Sequence, residues 1–307
     1  MIVPEFDAVA ICGPTSAGKS EAALLVAEAL GGEIVNADSR QVYRDMPIGM
    51  GLPPADSMRR VPHHLYAFVD PCERYSAGAY VSDAREACDA IIARGNRPVV
   101  VGGTGFYVDA LRGTMPLDRP FGDDAVRARM HAEATTHPHD ALREWLEVLS
   151  PEAASHVPPG DRYRTVRALE GALAKRAMAQ PRPPEPTHRT LRVRVAVLSV
   201  EPYELARRIA LRVEAMFDGG LVDEAAAIAR KCADAPALSG FGYAEALAYL
   251  RGEILREDAI RLAIARTCRY AKRQRTWFRR MRDAVLVDAE DPRDAAAAVT
   301  AIARESA

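Results

Sequence analysis

Eight residues, Gly13, Pro14, Thr15, Ser16, Ala17, Gly18, Lys19 and Ser20, carry the spacing GxxxxGK[ST] of a loop that wraps phosphate. Its glycines let the backbone curl until the amides of 15–20 converge on one anion, at the positive end of the following helix. Lys19 adds a charge to the same oxygens, and the Ser20 hydroxyl is suited to hold Mg²⁺. Two further residues sit where such proteins do chemistry. Asp38 follows the short run Glu33–Asn36, and Thr104 lies in the turn Gly102–Gly105 after the run Pro98–Val101. A carboxylate in that place is a magnesium ligand, a general base, or the cap of the next helix, and local sequence leaves the three open. Thr104 taken alone is equally a turn residue.

A phosphate loop needs a strand before it and a helix after it. Asp7–Cys12 is short, apolar and rich in β-branched residues, and Glu21–Leu30 is rich in Ala and Leu at helical spacing. Further strands are predicted at 33–36, 98–101, 193–200 and 285–287. Helices are predicted at 19–30, 78–94, 201–217, 221–231, 243–250 and 257–281. This alternation implies an α/β fold, a P-loop NTPase-like parallel sheet flanked by helices. Ligands of such sheets sit at the carboxyl ends of the strands, so the phosphate loop, Asp38 and Thr104 are expected to converge on one cleft. Between Pro116 and His188 the pattern changes to helices at 123–135, 139–148 and 162–178 with no strand, closed by the Pro-rich stretch 181–186. Residues 116–188 are therefore expected to be an inserted all-helical subdomain, with 1–115 and 189–307 forming the core.

The chain has 307 residues, 49% of them hydrophobic, enough for a large core and two domains. Its five cysteines are odd in number and lack a CxxC pair, which argues for reduced thiols and against a zinc or disulfide framework. No basic leader precedes the first strand and no apolar run approaches the ~20 residues of a membrane span, so a cytoplasmic protein without membrane association is expected. Residues 1–115 carry 10 Lys/Arg and 14 Asp/Glu, net −4, while the remainder carries 31 and 28, net +3. The positive charge concentrates at 266–282, which holds Arg266, Arg269, Lys272, Arg273, Arg275, Arg279, Arg280 and Arg282 and no acid. A charge run is usually a solvated face, but eight cations without counter-charge favour contact with a polyanion. Arg162, Arg164, Arg167, Lys175 and Arg176 give the insert a basic edge. His63 and His64, adjacent in a loop after Pro62, suit a structural role better than a shared metal. Tyr163 and Trp277 could stack on bases or be buried.

In order along almost the whole chain, the sequence resembles the bacterial tRNA dimethylallyltransferases (tRNA isopentenyltransferases). The resembling elements are GPTSAGKS at 13–20, NADSRQVYRDMPIG at 36–49, PHHL at 62–65, YSAGAY at 75–80, RPVVVGGTGFYVDAL at 97–111, RYRTVRALE at 162–170, GGLVDEA at 219–225 and YAKRQRTWF at 270–278. The resemblance implies transfer of a five-carbon prenyl group from dimethylallyl diphosphate to N6 of the adenosine 3′-adjacent to the anticodon, in tRNAs reading codons that begin with U. It further implies a Mg²⁺ requirement and a helical insert that grips the anticodon stem-loop; a monomer is expected, although the sequence does not encode the oligomeric state. Lys19, Ser20 and Thr104 then face the diphosphate, and Asp38 becomes the base that takes a proton from the amine. Ser39, Arg40 and Gln41 hold the flipped base. Arg127, Tyr163, Arg164 and Arg167 of the insert, with Lys272 and Arg273, contact the RNA.

Four positions depart from the family pattern. Met50 and Leu52 stand where Thr and Lys are usual, Ala244 replaces the Lys of GYKE, and Cys268 replaces an Arg three residues before the AKRQ run. Cations near the diphosphate or the RNA are thereby missing, which leaves neighbours such as Arg269 and Arg44 to compensate. Two other classes compete. A P-loop small-molecule kinase would bind ATP and use Asp38 to activate a hydroxyl, but Val99–Val101 runs into glycines and not into the acid of a Walker B strand. A tRNA-binding protein without activity would need none of Lys19, Asp38 and Thr104.

Overall fold

The buried strands are continuous runs of Val, Ile and Ala, as a parallel sheet covered on both faces requires. The computed structural model describes residues 6–115, 124–177 and 191–304. The first five residues and the Pro-rich stretch 181–186 lie outside the described residues. The elements follow in the order β1 (Ala8–Cys12), α1 (Lys19–Leu30), β2 (Gly32–Asn36), α2 (Pro47–Met50), α3 (Ala55–Arg60), β3 (His63–His64), α4 (Ala77–Ala93), β4 (Arg97–Gly102) and α5 (Gly105–Leu111). Then come α6 (Asp124–Thr136), α7 (His139–Leu149), α8 (Pro151–His156) and α9 (Arg162–Ala177). The remainder is β5 (Val193–Ser199), α10 (Pro202–Asp218), α11 (Leu221–Lys231), α12 (Tyr243–Leu250), α13 (Arg256–Phe278), β6 (Val285–Asp288) and α14 (Pro292–Arg304).

Two compact units result, residues 1–116 with 189–307, and residues 117–188. In the first, six parallel strands form one sheet in the order β3-β2-β4-β1-β5-β6. Register aligns the functional ends. Cys12 pairs with Gly102 and Asn36 with Val101, so the phosphate loop, the Asp38 loop and the Thr104 turn leave the sheet at one level. Gly102 is required there, because a Cβ would collide with the backbone of Ala37. In the second unit α7 and α9 pack over a small core that includes Leu142, Leu146, Val166 and Leu169, with no strand among its described residues.

Four differences from the sequence expectation have local causes. The helix α14, which packs on α1, was not expected, because its buried face is made mostly of alanines (Ala295, Ala296 and Ala303 beside Val299), which mark burial only weakly in a sequence. Strand β3 has two residues, and α2, α3, α5 and α8 are one or two turns long, too short for a period to register. The long basic helix ends at Phe278, with turns following, and not at 281.

Candidate active site

The phosphate loop is wound by residues in left-handed conformations, Gly18 at φ +81° and, without a glycine's freedom, Ser16 at φ +64°. The Ser16 hydroxyl is buried and has no hydrogen-bond partner, an orphan that a phosphate oxygen would satisfy. Lys19 Nζ donates to the Pro14 carbonyl at 2.7 Å. Burial lowers the Lys19 pKa to about 8; Arg212 adds to the shift and Asp38 opposes it. Two of the amides expected to face the anion do not. Thr15 N–H donates to Gln274 Oε1 at 2.9 Å, and Ala17 N–H turns back to Pro14 O at 3.3 Å. Those of Ser16, Gly18, Lys19 and Ser20 have no partner among the described residues and remain for a ligand.

Asp38 caps no helix, since the next one begins at Pro47. Its N–H donates to Asn36 Oδ1 at 2.9 Å, and its Oδ1 accepts the Arg40 N–H at 2.9 Å, a turn that fixes the carboxylate. Asn36, fully buried, secures this turn by donating to Asp38 O and Leu65 O. Thr104 Oγ1 accepts the Ser39 N–H at 3.0 Å and donates to Ser39 Oγ at 3.2 Å, and it also bonds the Tyr270 phenol. The Thr104 hydroxyl thus ties the β4 turn to the Asp38 loop.

A cleft of about 450 Å³ opens at this end of the sheet, lined by Thr15, Ser16 and Gly18–Glu21 on one side and by Asp38, Arg40 and Gln41 on another. Residues 49–52, Val101, Gly102, Arg212, Phe241 and Tyr270 complete the lining, which includes neither Ser39 nor Thr104. Sequence reasoning missed Arg212. Its guanidinium donates to Thr15 Oγ1 at 3.3 Å and lies against Gly51, where a Cβ would collide with it. Burial lowers its pKa and Asp38 holds it up. In the sequence it is one of several α10 arginines; Arg207 and Arg208 pair with Glu204, and Arg208 also donates to the Ala289 and Glu290 carbonyls. Gln274 was hidden in the basic run; it joins Thr15 N–H to the Gly103 carbonyl, 2.8 Å from its Nε2, and so ties the phosphate loop to the β4 turn. Met50 and Leu52, two of the departures from the family pattern, both lie in the cleft wall. Arg44 does not make up for the missing cations, because it pairs with Asp70, which Lys231 also bonds. Arg212 and Arg40 are the cations that line the cleft with Lys19, and Arg212 is the one that reaches the phosphate loop.

Of the eight cations at 266–282, Arg266 alone has an acid within ion-pair distance among the described residues, Glu245 at 3.2 Å. Lys272 and Arg273 are exposed. Phe241 and Tyr270 lie 4.6 Å apart between ring centroids, with Arg266 over the first and Arg273 over the second. In the insert, Tyr163 is 74% exposed and Arg164 is exposed beside Asp161. Arg127 and Arg167, expected at the RNA, instead converge on the buried carboxylate of Glu170. Arg162 donates to the Ala134 and His137 carbonyls at the end of α6, so the basic edge is partly structural. Trp277 is likewise structural, donating to Asp109 Oδ2 at 2.8 Å and filling the space over Gly105. His64 pairs with Glu33 and His63 with the Val61 carbonyl, and no metal-binding cluster of His, Cys, Asp and Glu occurs among the described residues.

A phosphate loop with a second cation and a fixed carboxylate, at the carboxyl ends of a parallel sheet, defines a P-loop enzyme for a phosphorylated substrate. Residues 41–281 match the family model of IPP transferase, and residues 6–67 match that of isopentenyl transferase. The chain is 41% identical over 279 residues to a tRNA dimethylallyltransferase of Geobacter sulfurreducens, covering 89% of this chain and 88% of the relative. It is 43% identical over 277 residues to one from Anaeromyxobacter dehalogenans, covering 89% and 90%. A solved tRNA isopentenylpyrophosphate transferase of Bacillus halodurans superposes with a TM-score of 0.71 at 32% identity, over 97% of this chain and 95% of that one. A eukaryotic dimethylallyltransferase acting on tRNA gives 0.73 at 26% identity, over 92% and 74%. The chain belongs to the IPP transferase family.

Proposed function

We propose that the protein transfers the dimethylallyl group of dimethylallyl diphosphate to N6 of the adenosine 3′-adjacent to the anticodon, in tRNAs reading codons that begin with U, and releases diphosphate. The observation that carries this reading is the convergence of Lys19, Arg212 and the orphan Ser16 hydroxyl beside Asp38 in one cleft. The C1–O bond of the donor breaks with charge growing on the leaving diphosphate, and the cations and the free amides of the loop stabilise that charge where it develops. As the N6–C1 bond forms, Asp38 takes a proton from the amine; among the described residues its Oδ2 has no hydrogen-bond partner, while Oδ1 is held by Arg40 N–H. The target adenine leaves its stack to reach the cleft, where the Phe241–Tyr270 pair offers an aromatic wall. Thr104 and Ser39 keep the Asp38 loop at its distance from the phosphate loop, and Arg40 and Gln41 line the approach.

Mg²⁺ fits this set of hard oxygen donors. Ser20 is exposed at the first turn of α1, its hydroxyl unbonded among the described residues, and Asp38 lines the same cleft. Bound there with the diphosphate, Mg²⁺ would neutralise charge on the leaving group. Lys272, Arg273, Tyr163 and Arg164 are the exposed groups suited to RNA. No described helix is long and apolar enough to cross a membrane; we take the protein to act as a monomer in the cytoplasm. Incubation of the purified protein with unmodified tRNA and dimethylallyl diphosphate, followed by mass spectrometry of the digested RNA, tests the proposal. A single adenosine should gain the mass of a dimethylallyl group. No gain with this donor, or phosphorylation when ATP replaces it, refutes the assignment.

A further inference from the structure

The cleft wall at 49–52 is a short turn that backs Arg212. Helix α2 spans only Pro47–Met50 and cannot hold its own first amides. Glu224 of α11 does so from outside. Its Oε2 accepts the Ile48 N–H at 2.9 Å, and its Oε1 accepts the Gly49 N–H at 2.9 Å and the Tyr243 phenol at 2.7 Å. Burial pushes the Tyr243 pKa far up, so the phenol remains a donor at any working pH. Tyr243 is fully buried, and its ring fills the space a Cβ on Gly49 would need, so tyrosine and glycine fix each other. Beyond the clamp, the left-handed Gly51 (φ +59°) presents its bare Cα to the Arg212 guanidinium and its carbonyl to Gln41 Nε2 at 2.6 Å. Arg212 then reaches Thr15 of the phosphate loop.

We propose that Glu224, assisted by Tyr243, is a positioning residue for the diphosphate end of the cleft, acting by holding the α2 turn against which Arg212 is set. The proposal rests on the reading of this cleft as a diphosphate site. A displaced wall leaves Arg212 its charge but not its place, so binding of diphosphate should suffer and contact with RNA should not. Glu224→Gln retains size but presents an amide donor among three donors. Each hydrogen bond to a charged group is worth roughly a tenfold or greater factor.

The test uses inorganic diphosphate with Mg²⁺ as the calorimetric probe, on the full-length protein. Wild type must bind it; if it does not, the diphosphate reading of the cleft fails and the clamp is not what was tested. Glu224→Gln should weaken diphosphate at least ~10-fold and raise the donor KM alike, with tRNA affinity unchanged. Tyr243→Phe, which keeps both backbone contacts, should give a smaller change in the same direction and covers the case in which Glu224→Gln fails to fold. In an Arg212→Ala background Tyr243→Phe and Glu224→Gln should add little, because their effect runs through Arg212. Wild-type diphosphate affinity in both variants, or full additivity with Arg212→Ala, would overturn the proposal.

Discussion

Lys19 gives the most discriminating test of the cleft, because its charge should be lost within an accessible pH range. Burial holds its pKa at about 8, against 10.5 for a free lysine. The sign follows directly. Below about pH 8 the unliganded protein carries the ammonium, and above it the neutral amine predominates. A bound diphosphate supplies the counter-charge that burial removed, so the complex keeps the proton to higher pH. Affinity for inorganic diphosphate should therefore be flat from pH 6.8 to about 7.5 and then fall by roughly tenfold per unit above about 8. At pH 8.5 roughly three-quarters of the free protein lacks the proton, so binding should take up roughly 0.75 proton per site. Calorimetry in buffers of different ionisation enthalpy measures that number. Diphosphate carries protons of its own in this range, so Lys19→Ala, which should bind weakly, serves as the reference. A wild-type uptake no larger than that of Lys19→Ala at pH 8.5 would refute the burial argument, whatever the affinity.

The carboxylate, the basic helix and the sheet each give a further test. Asp38→Asn keeps the bond to Arg40 N–H and removes the base, so single-turnover transfer should fall ~100-fold or more with donor affinity nearly unchanged; a rate near wild type would leave the base unassigned. Neutralising Lys272 and Arg273 should flatten the slope of log K for tRNA against log salt by ~0.7–0.9 per charge. Arg127→Gln or Arg167→Gln should instead lower the melting temperature, since both face buried Glu170; the opposite pattern would return those arginines to the RNA. The hydrogen bonds of Arg94, with Asn96 and His64, lower the Glu33 pKa from 4.5 to about 2, so their stability is complete above about pH 5 and fades as pH falls towards 2. Of a total of roughly 3 kcal/mol, about 2 should be gone at pH 3, and urea unfolding of Glu33→Gln should lack that acid loss.

The parts of the site legible in the sequence are those whose chemistry is written locally. The phosphate loop declares itself because curvature, anion and helix dipole are all properties of eight consecutive residues. Asp38 and Thr104 were legible at one remove, since a parallel sheet delivers the carboxyl ends of its strands to one edge, and the register of β2, β4 and β1 does so. What sequence reasoning assigned to Thr104 was contact with the diphosphate, whereas its hydroxyl is taken by Ser39 and Tyr270. A hydroxyl's partner depends on neighbours separated by 65 positions in one case and far more in the other, and no local pattern encodes it.

Arg212, Gln274 and Glu224 were illegible for a related reason. Each is an ordinary polar residue on an amphipathic helix, and the face it occupies acquires meaning only when α10, α11 and α13 are laid across the edge of the sheet. The charge run at 266–282 shows both sides of this. Its lack of acids marked cations of which, among the described residues, Arg266 alone finds an acid, yet the same run concealed Gln274, whose uncharged amide fastens the phosphate loop to the Gly103 carbonyl. Charge, which acts over a distance, survives as a signal in composition. A neutral amide acts only at the length of a hydrogen bond, so its function lies in where the fold puts it. Such a position tolerates neither a longer nor a charged side chain: the space over Gly103 that a Cβ would need is already filled by the Gln274 amide.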